Sequence, residues 1–167
     1  MNNFRSFSNK EIKQAKKIED VFNYGIWLLS KKDYTINDLK EKLNNKTDNS
    51  EWINESLERL INSNYLNDKR FVENYLKDSY EYKQHGINKV KQELKQKGID
   101  KELIENTILE LEYDYFDLAY QCLSRKIRDS DLTDRKEKDR LTRFLLSRGF
   151  SFDMIRYAFE EYKSQSN

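Results

Sequence analysis

The sequence predicts an all-α protein built from tandem three-helix repeats with helix-turn-helix-like corners. Three observations carry that reading. Apolar residues return at a step of 51: Leu39, Val90 and Leu141; Leu43, Leu94 and Leu145; Ile53, Ile104 and Ile155; Leu57, Ile108 and Phe159. Four columns in one register mark copies of a small unit that cannot bury its apolar face alone and stacks on its neighbours. The 167 residues contain no proline and only four glycines, so helix breakers are scarce. Charged residues make up 37% with both signs mixed, which suits narrow helices with wide solvated faces.

Residues 1–20 read as a polar arm carrying Arg5, Lys10, Lys13, Lys16 and Lys17 and leading into a helix. Three units follow, 21–66, 67–114 and 115–163, each of three helices. In the first unit Thr35 and Asp38 form a capping box for the second helix. The polar run from Asn44 to Ser50 predicts a loose joint after it, with Thr47 where the other units have glycine. Asn67 and Asp68 suit the start of the helix carrying Phe71.

In the second unit Phe71 and Tyr75, with Ser79 and Tyr82, set the first stripe. Ile87, Val90, Leu94 and the stem of Lys97 set the next, and Leu103, Ile104, Ile108 and Leu111 the third. Spacings of three and four put each set on one helical face. The joint Lys97-Gly98-Ile99-Asp100 recurs as Arg148-Gly149-Phe150-Ser151. Glycine past a helix end takes the left-handed conformation that closes it. Asp100 or Ser151 then caps the next helix, a contribution of about 1 kcal/mol. Ile99 packing toward Ile104, and Phe150 toward Ile155, completes an apolar staple around the cap.

Enzyme signatures are missing. The glycines stand alone, so there is no phosphate loop, and His85 is the only histidine. The carboxylates follow solvated helix faces, and His85 beside Gly86 reads as an exposed turn residue. The expectation is a protein that is not an enzyme and uses no cofactor or metal. Cys122, the single cysteine, sits among Leu118, Ala119 and Leu123 as a buried thiol. The longest apolar run, Tyr24 to Leu29, is too short to cross a membrane, and no signal peptide is visible. The expected location is the cytoplasm.

Net charge is +1, so any anionic partner must be met by local segregation of charge. Six lysines lie between Lys83 and Lys101 against Glu93 and Asp100. From Glu102 to Ser124 there are six acids and no lysine or arginine, and bases dominate again from Arg125 to Arg148. Lys89 and Arg140 are repeat-equivalent, as are Lys97 and Arg148. Such returning cations either line one side of the stack, facing a phosphate backbone or an acidic protein groove, or are ordinary solvated charge. Of the tyrosines, Tyr24, Tyr75, Tyr115 and Tyr157 fall near apolar stripes, and Tyr34, Tyr80 and Tyr82 lie near helix ends as candidates for exposure.

The run Tyr65-Leu66-Asn67-Asp68-Lys69-Arg70-Phe71, then Tyr75, Gly86 and Glu93-Leu94-Lys95-Gln96-Lys97-Gly98-Ile99, resembles the central signature of the RecX family. Leu28-Leu29-Ser30-Lys31-Lys32-Asp33-Tyr34-Thr35, with Leu39, Lys42 and Leu43, is similar to its opening motif, and Arg148-Gly149-Phe150 to its closing one. The resemblance spans Tyr24 to Phe159. Departures are few: Asn67 replaces an acid, Val72 an alanine, and Tyr80 and Tyr82 stand where a basic residue is frequent.

The resemblance implies an elongated, curved, all-α regulator of the RecA recombinase. It would bind the RecA filament, inhibit ATPase, strand exchange and filament growth, and carry no catalytic site. Recombinational DNA repair and the SOS response are the processes it would modulate, as a monomer with at most weak contact to single- or double-stranded DNA. Lys89, Lys97, Arg140 and Arg148 are the first candidates for the contact surface, with Lys91, Lys95 and Arg143 next. The alternative is a protein that binds DNA directly through its helix-turn-helix-like corners. The near-neutral charge speaks against it. A nucleic-acid enzyme ranks last.

Overall fold

The structure, a computed structural model, describes residues 14–127 and 134–165. Among them are nine α-helices and no strands. Of the expected N-terminal arm, residues 1–13, with Arg5, Lys10 and Lys13, lie outside the described residues. The chain packs as two compact units, Met1–Asp68 and Lys69–Asn167.

The first unit holds α1 (Ile18–Leu29), α2 (Ile36–Asn44) and α3 (Ser50–Asn62). Its core is Val21, Leu28, Leu39, Leu43, Ile53, Leu57, Leu60 and Leu66, closed by Tyr34. Thr35 caps α2 as its sequence position demands, the hydroxyl accepting from the Asp38 amide at 3.0 Å. A second donor of the same turn, the Ile36 amide, is taken by the Asp68 carboxylate at 2.8 Å, from 32 residues away. Asp68 therefore serves α2 as well as opening its own helix. Burial raises its pKa above the ordinary aspartate value, against the lowering effect of the Ile36 hydrogen bond.

The second unit holds α4 (Asp68–Asp78) from its second residue on, α5 (Ile87–Gln96), α6 (Lys101–Leu111), α7 (Tyr115–Lys126), α8 (Arg135–Ser147) and α9 (Phe152–Gln165). These six helices share one continuous core. All three members of the Leu39 and Leu43 columns are fully buried, and so, within a few per cent, are those of the Ile53 column. In the last column Ile108 is only partly buried.

The glycine corners form as the sequence predicts. Gly98 has φ +78° and Gly149 φ +91°. The amides of Ile99 and Phe150 each reach back five residues, to Leu94 and Leu145, at 3.2 Å. That closes both helices with the left-handed motif. Asp100 accepts from the amides of Glu102 and Leu103, and Ser151 from Met154. Thr47 lacks this closure: its amide bonds Leu43, four residues back, and Asn49 caps α3 instead. Asn64, at φ +56°, supplies a left-handed stop after α3. Asparagine tolerates that region better than most residues with a Cβ.

One stripe departs from expectation. Val72, Leu76 and Ser79 are the buried positions of the first helix in the second unit, with Phe71 and Tyr75 at the edge, whereas Tyr82 is 76% exposed. The chain switches to a π-helical segment over Ser79–Lys83. Its wider turn shifts the phase, so a spacing of three no longer returns to the core. Tyr80 instead stacks on Tyr113 at 4.4 Å, meets Tyr115 edge-on and donates to the Asp114 carbonyl. Tyr34 is buried as well.

Candidate basic interface on the second helices

Helix α5 begins where α8 ends. The Gly86 amide donates to the Arg148 carbonyl at 2.7 Å, and the Asn88 amide to the Gly149 carbonyl at 3.2 Å. The first amides of one helix thus satisfy the last carbonyls of another, two sets of groups that a helix cannot pair internally. Both dipoles run head to tail across the joint, a favourable arrangement. The Arg148 side chain completes it: Nη1 donates to the Lys83 carbonyl at 2.9 Å and lies 3.4 Å from that of Gln84. Gln84 is itself held left-handed at φ +53°.

This joint fixes the outward face of α5. A groove of about 490 Å³ runs between α5 and the α8–α9 corner, with Lys89, Gln92 and Gln96 on one wall and Ser147 and Gly149 on the other. A second hollow of about 460 Å³ lies along Asn88, Lys91, Gln92, Lys95 and Gln96. The amides Asn88, Gln92 and Gln96 recur every four residues between the lysines. Sequence reasoning missed them, although their spacing opposite the Ile87, Val90 and Leu94 stripe is a readable signal.

The seven candidate cations divide by what each already touches. Lys89 and Lys95 on α5 and Arg143 on α8 form no ion pair with a carboxylate among the described residues, although Lys95 lies within electrostatic reach of Glu105; Arg143 donates to the Asp139 carbonyl. Lys91 pairs with Glu105 at 2.6 Å and holds that carboxyl below its ordinary pKa. Arg140 grips Glu137 through Nε at 2.8 Å and through Nη2. The Lys97 ammonium lies 5.8 Å from the centre of the Phe71 ring. Arg148 is occupied by the helix joint and by the Phe144 ring. The equivalence of Lys97 and Arg148 therefore reflects corner construction as well as charge.

His85 is not the exposed turn residue expected. Its side chain is 18% exposed and its Nδ1 lies 3.8 Å from Glu93, which accepts from the Tyr75 hydroxyl at 2.7 Å. Burial, then Lys89, lowers the His85 pKa, and burial, then Glu93, raises that of Tyr75. The cluster ties α4 and the turn after the π segment to α5. Cys122 is buried, as expected, and burial raises its pKa. No group of three or more His, Cys, Asp or Glu among the described residues is placed to hold a metal.

Charge is uneven among the helices, although α2 is balanced, with Lys40 and Lys42 against Asp38 and Glu41. The second helices α5 and α8 carry three lysines against Glu93, and five bases against Glu137 and Asp139. The third helices α3 and α6 carry three glutamates against Arg59, and three against Lys101. In a helix-turn-helix the last helix enters the DNA major groove. Here α6 carries Glu102, with Glu105 paired to Lys91 and Glu110 to Lys69, so the helix offers phosphates no cluster of cations.

Residues 67–108 match the second three-helix domain of RecX and residues 112–159 the third. The regulatory protein RecX of Haemophilus influenzae (strain PittEE) is 34% identical over 134 residues, covering 79% of this chain and 88% of the relative. That of Vibrio parahaemolyticus is 35% identical over 133 residues, covering 80% and 85%. The chain belongs to the RecX family. The crystal structure of RecX from Lactobacillus salivarius superposes with a TM-score of 0.77 at 23% identity, covering 86% of this chain and 95% of that one. That likeness establishes a RecX fold of tandem helical repeats. RecX membership also gives the chain a regulatory role. No helix among the described residues is long and apolar enough to cross a membrane.

Proposed function

We propose that this RecX-family chain binds the RecA nucleoprotein filament and inhibits its ATPase, strand exchange and growth, so modulating recombinational repair and the SOS response. The observation that carries the reading is the row of cations and amides along α5, Lys89, Gln92, Lys95 and Gln96, with Arg143 on α8 as a further cation without a carboxylate partner among the described residues. It is a surface for binding, with amides to fix register and lysines to attract an acidic or phosphate-bearing face. Lys91 lines the same hollow, Lys97 and Arg140 are further candidate contacts, and Arg148 holds the corner that presents it. Successive repeats, bounded at 21–66, 67–114 and 115–163, offer weak contacts that add through effective concentration. The protein acts as a cytoplasmic monomer and by binding alone, with no chemistry of its own.

The test is the single-stranded-DNA-dependent ATPase of the cognate RecA, titrated with this protein well below the RecA concentration. Strong inhibition at that ratio, without competition for bare DNA, supports the filament reading. No inhibition together with tight, salt-sensitive binding to naked DNA would replace it with direct DNA binding.

A further inference from the structure

A second binding groove lies between the first half of α8 and α9. It has a volume of about 290 Å³ and shares no lining residue with the α5 grooves. Its floor is apolar, Ile155 and Phe159, and Phe152 stands at one end 70% exposed. Its walls are Lys138 and Thr142 on α8, and Arg156, Glu160 and Lys163 on α9. Arg156 is paired with Asp153. The Lys138 ammonium lies 5.6 Å from the centre of the Phe159 ring, and neither it nor Lys163 has a carboxylate partner among the described residues. Glu160 is the one acid in the lining.

At the start of α8 Arg135, Lys136 and Lys138 stand beside the capping Asp134 and Glu137, and Glu137 is already engaged by Arg140. Excess positive charge beside an exposed apolar socket fits a ligand that is negative along its length and apolar at one point.

We propose that this groove binds an acidic peptide segment of a partner protein, anchored by one large apolar side chain. The anchor seats on Ile155 and Phe159 beside Phe152. Carboxylates on the same segment meet Lys138, Lys163 and the first turn of α8. The site is separate from the α5 surface and does not depend on it.

The probe is a fluorescein-labelled ten-residue peptide of aspartates and glutamates ending in leucine and phenylalanine, titrated with the full chain and read by anisotropy. Expected is saturable binding that weakens roughly tenfold in Lys138→Glu/Lys163→Glu, as two rim charges allow. It is also expected to weaken in Phe152→Ser, and when the peptide's apolar pair becomes serine. Amide chemical shifts should move in residues 138–142 and 152–163. Both lysines are exposed, so circular dichroism of the double variant should match the parent. Equal affinity of the double variant, equal binding of a lysine-for-acid peptide, displacement by a thymidine decanucleotide, or shifts centred on α5 would each overturn the proposal.

Discussion

Gly86 and Gly149 meet backbone to backbone. A Cβ on Gly86 would lie 2.4 Å from the Gly149 carbonyl carbon and from the Phe150 nitrogen, and one on Gly149 would lie 2.3 Å from the Lys89 Cβ. These contacts are with backbone or with the root of a side chain, which cannot swing aside. Gly86→Ala should therefore destabilise by roughly 2–3 kcal/mol through overpacking. Gly149→Val should cost more, because its φ is positive as well. Gly98→Ala bears the conformational penalty of its positive φ, about 1 kcal/mol, and Gly98→Val a larger one. Thermal melts of the four variants should rank them in that way.

Asp68 offers a test in which charge and hydrogen bonding separate. Its folded pKa is raised, so the folded state binds this proton more tightly than the unfolded one, and ionisation works against folding. Asp68→Asn keeps an acceptor for the Ile36 amide and drops the buried charge. It should be at least as stable as the parent at pH 7. Its advantage should shrink as pH falls through the raised folded pKa toward the ordinary value of 3.8, because both forms are then neutral. Asp68→Ala should lose about 1 kcal/mol at neutral pH, the worth of a lost cap. Urea melts of the three proteins at pH 3 and pH 7 measure both effects.

Arg148 and Arg143 lie five residues apart and differ in burden. Arg148→Ala should lose roughly 1–3 kcal/mol, because the Lys83 and Gln84 carbonyls give up a charged donor. Arg143→Ala should stay within about 0.5 kcal/mol of the parent. Denaturant midpoints at constant slope decide this.

Reversing Lys89, Lys95 and Arg143 together to glutamate should raise the concentration needed for half-inhibition of RecA ATPase by at least roughly tenfold. Helical content should be unchanged. An inhibitory titration that does not shift would detach the α5 surface from the activity.

The all-α class, the 51-residue register and the two glycine corners were legible because each follows from spacing or from a local φ requirement. Thr35, Asp100 and Ser151 were legible for the same reason: a cap acts within three residues of its own position. The π segment was not, since it leaves no mark on spacing until the phase has slipped at Tyr82. Nor was the Asp68 bond to α2, which spans 32 residues. The cations were visible as a set. Which of them were already occupied depended on Glu105, Phe71 and the Lys83 carbonyl, brought in by tertiary packing, and on Glu137, one turn from Arg140 on the same helix.

The α8 to α5 joint also bears on how the second unit assembles. Gln84 and Arg148 are 64 residues apart, so the contacts that cap the opening of α5 are gained only when a long loop closes. Repeat arrays ordinarily lengthen or shorten by whole copies, because each copy touches only its neighbours through similar seams. Here the seam is keyed, with one glycine on each side and an arginine reaching across. A chain ending before α8 would leave the Gly86 and Asn88 amides to water. The third repeat thus doubles as the cap of the second.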